Sequence, residues 1–129
     1  MSLPSIIVVD DNFANRKFLL ALLNGHAQCD AAAGGAEALE AYNLSLREGR
    51  QYDAMLLDIS MPGLDGLSVI RLVRESETGA GIGPGEGMRI IVVTAFKEYF
   101  KEAFRAGCDD YLLKPVEPSQ LYEKISSIT

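Results

Sequence analysis

The sequence predicts an α/β protein built on a five-stranded, doubly wound parallel sheet with five helices on its two faces. Two observations lead there. Short apolar runs alternate with segments of helical period, five times over, and several helix boundaries carry signals of their own in Gly, Asp or Pro.

The first strand is Ser5-Ile6-Ile7-Val8-Val9, an unbroken apolar run that stops at Asp10-Asp11. Helical period covers 13 to 24, and Gly25 can end that helix in the left-handed conformation. Gln28-Cys29-Asp30-Ala31-Ala32 is short and half polar, which suits an edge strand. A helix is expected over 36 to 47. The third strand, 54 to 58, is Ala54-Met55-Leu56-Leu57 closed by Asp58. Asp65 can cap a helix over 66 to 75. A fourth strand spans 89 to 93, a helix 97 to 106 ends at Gly107, and a fifth strand spans 110 to 113. Pro118 suits the first turn of a last helix over 118 to 128.

Right-handed crossovers and a strand order of 2-1-3-4-5 put the winding reversal between strands one and three. Ligands of such sheets bind beyond the carboxyl ends of the strands at that crevice, where Asp10, Asp11 and Asp58 stand. The segment from 79 to 87, Gly-Ala-Gly-Ile-Gly-Pro-Gly-Glu-Gly, has the look of a phosphate loop. It joins a helix to the start of a strand, however, so it belongs at the opposite end and reads as a flexible surface insertion.

Composition narrows the classes. A chain of 129 residues, 48% hydrophobic, suits one domain over 1 to 129 with a proper core. The apolar start is too short for a membrane span and lacks the basic flank of a signal peptide, so a soluble cytoplasmic protein with no membrane partner is expected. Cys29 and Cys108 have no metal or CxxC spacing and read as small buried hydrophobes in a reducing compartment. A net charge of −6 argues against direct nucleic-acid binding and points to protein partners.

Two carboxylates about 4 Å apart repel by roughly 4 kcal/mol at an effective dielectric near 20. Three together call for protonation or a cation, and Mg2+ is the simplest hard ion for such oxygens. Any one of the acids alone could equally be a helix cap; their joint placement carries the argument. Asp58 at the mouth of the loop Ile59-Ser60-Met61-Pro62-Gly63-Leu64-Asp65-Gly66 can act as a nucleophile toward phosphorus. Thr94 and Lys114 close the fourth and fifth strands and offer a hydroxyl donor and an ammonium at the same edge. Thr is common in strands and Lys on surfaces, so neither persuades singly. Trans is the ordinary expectation for Lys114-Pro115, whereas a cis bond would turn the lysine inward.

The set Val9-Asp10-Asp11-Asn12, Asp58 with Met61-Pro62-Gly63-Leu64-Asp65-Gly66, Thr94-Ala95 and Lys114-Pro115 resembles the receiver domain of two-component response regulators, across essentially the whole chain. The resemblance implies a flavodoxin-like fold and a signalling switch rather than a multiple-turnover enzyme. Asp58 would accept a phosphoryl group from a phosphohistidine. Mg2+ would be held by Asp11, Asp58, the Ser60 carbonyl and, through water, Asp10. Lys114 would pair with the phosphoryl oxygens, Thr94 would move to the aspartyl phosphate, and Tyr111 would turn inward behind it. Tyr111 can also be read as a static packing residue on a buried strand.

The single histidine, His26, falls at the end of the sheet remote from Asp58, so the donor histidine belongs to a histidine kinase or histidine phosphotransfer protein. Phe96, Tyr99, Phe100, Ala103 and Phe104 form a helical stripe, expected to be mostly core, with any exposed part a contact patch beside Tyr111 for a downstream protein or fused domain. In similar receivers helix four, strand five and helix five signal, and the residues at the positions of Ser60 and Phe96 modulate the phosphoryl lifetime. The chain stops at Thr129, where the fold should end, which reads as a stand-alone regulator or an excised fragment. Its opening is more similar to receivers of hybrid sensor kinases.

Two other classes share parts of this pattern. A haloacid-dehalogenase-type phosphatase would carry its nucleophile on strand one in an Asp-x-Asp pattern, and here the acids are adjacent. A flavodoxin needs phosphate donors in its first loop, where Asp10-Asp11 would repel phosphate. A receiver that is never phosphorylated is disfavoured by the intact acid, hydroxyl and lysine.

Overall fold

A computed structural model describes residues 3 to 59 and 65 to 128. Five parallel strands, β1 (Ser5–Val9), β2 (Gln28–Ala32), β3 (Ala54–Asp58), β4 (Arg89–Thr94) and β5 (Asp110–Leu113), lie in the order β2-β1-β3-β4-β5. The helices are α1 (Phe13–Leu23), α2 (Gly35–Glu48), α3 (Gly66–Gly79), α4 (Phe100–Ala106) and α5 (Pro118–Ser126).

Successive residues of a strand face opposite sides, and β1 shows the consequence. Ile7 and Val9 join a core with Tyr42 of α2, Val69, Ile70 and Val73 of α3, and Ala103 of α4. Ile6 and Val8 join the other with Leu19 and Leu23 of α1, and Leu121 and Ile125 of α5. The central strands are sealed on both faces, which is why their sequences are unbroken apolar runs. Truncating a residue such as Ile90, fully buried, would cost about 2–5 kcal/mol.

β2 is an edge strand, as its polarity predicts, and Gly25 and Gly107 both have positive φ after their helices. Asp65 caps α3, its Oδ1 accepting from the Ser68 N–H at 2.8 Å, and Pro118 opens α5. Three boundaries differ from expectation by more than one residue. A 3-10 turn (Lys97–Tyr99) precedes α4, α5 stops at Ser126, and α3 runs to Gly79, a turn beyond 75.

That extra turn of α3 is tied down by Glu77, buried although acidic. Its carboxylate accepts from Tyr42 Oη at 3.2 Å and the Met88 N–H at 2.8 Å, and pairs with Arg74 at 2.8 Å. Arg74 also donates to the carbonyls of Gly107 and Met88 and meets Asp109 at 2.8 Å. Burial, then the negative charge of Glu77, pushes the Tyr42 phenol well above its ordinary pKa. The glycine-rich segment beside this network joins α3 to the start of β4, at the end of the sheet away from the acids.

Cys108 is buried and Cys29 only half-buried, and both are free thiols. His26 lies between α1 and β2, stacked on Tyr122 at 4.4 Å. Among the described residues no helix is long and apolar enough to cross a membrane.

Candidate functional site

Register sets the site. Val9 pairs with Leu57, so the next residue, Asp10, comes level with Asp58; Asp58 pairs with Val93, one before Thr94; Thr94 pairs with Leu113, one before Lys114. Four chemically able side chains therefore emerge at one edge. Asp10 is 1% exposed and Asp58 6%, while Asp11 is exposed. One carboxylate oxygen from each of the three lies within 4.8 Å of the others.

Lys114 Nζ sits 3.2 Å from Asp10 Oδ2 and 3.3 Å from Asp58 Oδ2. Burial works against its charge, but attraction to Asp58 and Asp10 and their hydrogen bonds outweigh that, and its pKa is raised above the ordinary lysine value. The Lys114-Pro115 bond is cis, against the usual expectation, and the lysine points inward. The Lys114 N–H also donates to the Thr94 carbonyl at 2.9 Å. Thr94 is fully buried, its Oγ1 accepting from the Phe96 N–H at 3.2 Å; as a hydroxyl it also carries one proton to donate.

One ammonium against three carboxylates leaves a deficit of two positive charges among these four groups. An all-oxygen donor set with that deficit fits a hard divalent cation. Gly66 packs directly against Ile59, since a Cβ there would overlap the Ile59 backbone. Ser60 and the stretch Met61-Pro62-Gly63-Leu64 lie outside the described residues.

The acids and Lys114 thus meet, Thr94 stands at the same edge by register, and His26 stands at the other end of the sheet. The aromatic stripe does not: only Ala103 is buried, while Phe96, Tyr99 and Phe104 are exposed. The 3-10 turn and the short α4 bring little more than Ala103 onto the core, so the aromatics stay outside. Tyr111, 40% exposed, points outward on the edge strand rather than packing inside. Sequence reading also missed Arg16, whose Nη1 donates to the Asp10 carbonyl at 2.7 Å. Its signal was Asn12, a cap that accepts from the Asn15 N–H at 2.9 Å and so fixes which residue of α1 faces back.

The profile of the response regulator receiver domain matches residues 6–126. Hybrid signal transduction histidine kinase L of Dictyostelium discoideum is 38% identical over 95% of this chain, which spans 7% of that protein's length. The receiver domain of the histidine kinase CKI1 from Arabidopsis thaliana, complexed with Mg2+ and BeF3-, superposes with a TM-score of 0.82 at 29% identity, covering 97% of this chain and 89% of that one. The receiver domain structure of Ssk1 from Saccharomyces cerevisiae, co-crystallised with the histidine phosphotransfer protein Ypd1, gives 0.78 at 27% identity, with 97% and 88% covered. With its β2-β1-β3-β4-β5 sheet and its clustered aspartates, the chain belongs to the response regulator receiver domain family of two-component signalling.

Proposed function

We propose that this receiver domain is a phosphorylation switch whose acceptor is Asp58. The observation that carries the reading is the meeting of three carboxylates within 4.8 Å of one another with Lys114 bonded to two of them. Asp58 Oδ attacks the phosphorus of a phosphohistidine; the N–P bond breaks, an O–P bond forms, and the imidazole nitrogen takes a proton. Asp10, Asp11 and Asp58, with the carbonyl of Ser60, would hold Mg2+, which when bound supplies charge neutralisation for the phosphoryl oxygens. Lys114 supplies a second positive group, and Thr94 a hydroxyl for a phosphoryl oxygen. Water reverses the modification by splitting the O–P bond.

A histidine kinase or histidine phosphotransfer protein is the donor, a reading supported by the Ypd1 complex of the related Ssk1 receiver. The Mg2+ and BeF3- bound by the related CKI1 receiver support the cation. The exposed aromatics of α4 and β5, together with α5, form the surface that changes for a downstream protein or fused domain. The chain acts as one domain in the cytoplasm, without nucleic acid or membrane as direct partner.

Incubation with acetyl phosphate and Mg2+, followed by intact-mass measurement, tests this. One phosphoryl adduct is expected on the wild type and none on Asp58→Asn or with EDTA. An adduct that persists on Asp58→Asn would overturn the assignment.

A further inference from the structure

Adjacent residues of an extended chain point to opposite sides, yet Asp10 and Asp11 both aim a carboxylate at Asp58. The chain must therefore turn at the Asp10-Asp11 peptide, and three bonds hold that turn. The Asp10 N–H continues the ladder to the Ala32 carbonyl at 3.2 Å, and Asp10 Oδ1 accepts from the Asn12 N–H at 2.9 Å. The third is from Arg16 Nη1 to the Asp10 carbonyl, at 2.7 Å the shortest of them.

Arg16 is well placed for this. It stands one turn into α1, its N–H bonded to the Asn12 carbonyl at 3.0 Å, and its guanidinium lies 5.6 Å from the Phe13 ring. Rigid helix, aromatic support and a charged donor converge on the oxygen of the peptide that joins the two acids. A charge-assisted bond to that oxygen fixes the peptide plane and with it the direction of Asp11, which is exposed and has no burial to orient it.

We propose that Arg16 is a positioning residue for cation uptake, setting the Asp10-Asp11 peptide so that Asp11 is aimed before the ion arrives. This rests on the reading of the acid cluster as a Mg2+ site. Two effects of the side chain oppose each other: its hydrogen bond favours the ion and its charge disfavours it. Arg16→Gln removes the charge and keeps an N–H donor, Arg16→Lys keeps the charge on a differently shaped donor, and Arg16→Ala removes both.

The test is Mg2+ titration of the unphosphorylated full chain by calorimetry, with hydrogen exchange of the Asp11 and Asn12 amides in EDTA. The expected result for Arg16→Ala is Mg2+ binding weaker by about tenfold, with faster exchange at those two amides. Its phosphorylation by acetyl phosphate should lose rate most at limiting Mg2+ and recover as Mg2+ rises. Arg16→Gln should bind Mg2+ better than Arg16→Ala, and if Arg16→Ala fails to fold, Arg16→Gln binding better than Arg16→Lys supports the same conclusion. Tighter or equal Mg2+ binding by a folded Arg16→Ala, or Arg16→Lys at or above Arg16→Gln, overturns the positioning role while leaving the phosphorylation reading intact. A wild type that takes up no Mg2+ overturns both.

Discussion

The Tyr111 ring lies nearly parallel to Phe100, centroids 3.7 Å apart, and Phe104 meets the same ring edge-on at 6.1 Å. Two residues of α4 thus grip the side chain that a phosphorylation switch would draw inward. An aromatic pair of this kind contributes about 0.5–1.5 kcal/mol beyond area burial. We predict that Phe100→Leu raises the inward population of Tyr111 by about 3–10-fold in the unphosphorylated protein. Side-chain NMR of Tyr111 reads this directly, and an unchanged rotamer distribution counts against the grip.

Crowded acids cost stability when no cation is present. Asp58→Asn removes one of three charges lying within 4.8 Å, at the expense of one contact to Lys114. Repulsion among the acids is the larger effect, so the variant should be more stable than wild type in EDTA by about 1–2 kcal/mol. Adding Mg2+ should raise the wild-type Tm more than the variant's. Urea denaturation with and without Mg2+ measures both, and a less stable variant in EDTA refutes the argument.

Burial, reinforced by Asp109, pushes the Cys108 thiol from 9.0 up to about 11. Between those pH values the folded state holds a proton that the unfolded state has lost, so stability falls as pH rises through that window and is unaffected by this group below it. Iodoacetamide at pH 8.5 should label Cys29 first and Cys108 only after denaturation. Cys108→Ala should lose less stability than wild type between pH 9 and 11, relative to each at pH 8. Mass mapping of the labelled peptides and urea titrations at each pH decide the matter.

Phe96, 47% exposed, faces a cleft of about 420 Å3 with Ile59, Asp65, Leu67 and Tyr99, beside the end of β3. The Thr94 Oγ1 holds its N–H, so the ring is anchored close to the edge that carries Asp10 and Asp58. If Asp58 is the acceptor, a bulky ring there would impede the attacking water, and Phe96→Ala should shorten the phosphoryl lifetime by about 3–10-fold, equivalent to roughly 1 kcal/mol in the barrier. A decay rate unchanged by the substitution, followed by intact mass over time, would remove Phe96 from the kinetics.

The sheet and its acids were legible because both follow from strict geometry. Unbroken runs such as Ile6-Ile7-Val8-Val9 can only be buried on both faces, and parallel order then brings Asp10, Asp58, Thr94 and Lys114 to one edge. The outward aromatics were not legible. Helical period says which residues share a face of α4 but not whether anything covers it, and among the described residues nothing covers Phe104 or Tyr99 enough to bury them. The last turn of α3 escaped for a related reason: Glu77 reads as a solvated acid until Tyr42 and Met88, distant in the chain, are seen to bind it. Arg16 likewise takes its meaning from one carbonyl that no side-chain pattern reveals.

The Arg74 network anchors both flanks of the glycine-rich loop, through Glu77 at the end of α3 and Met88 before β4. Such a hinge isolates whatever hangs from it, which makes the tip of the loop a natural splice point for a reporter peptide. A short tag inserted between Gly83 and Pro84 should leave Mg2+ uptake and acetyl-phosphate labelling within about twofold of the parent chain. Loss of either in a folded insertion variant would mean that the two ends of the sheet communicate.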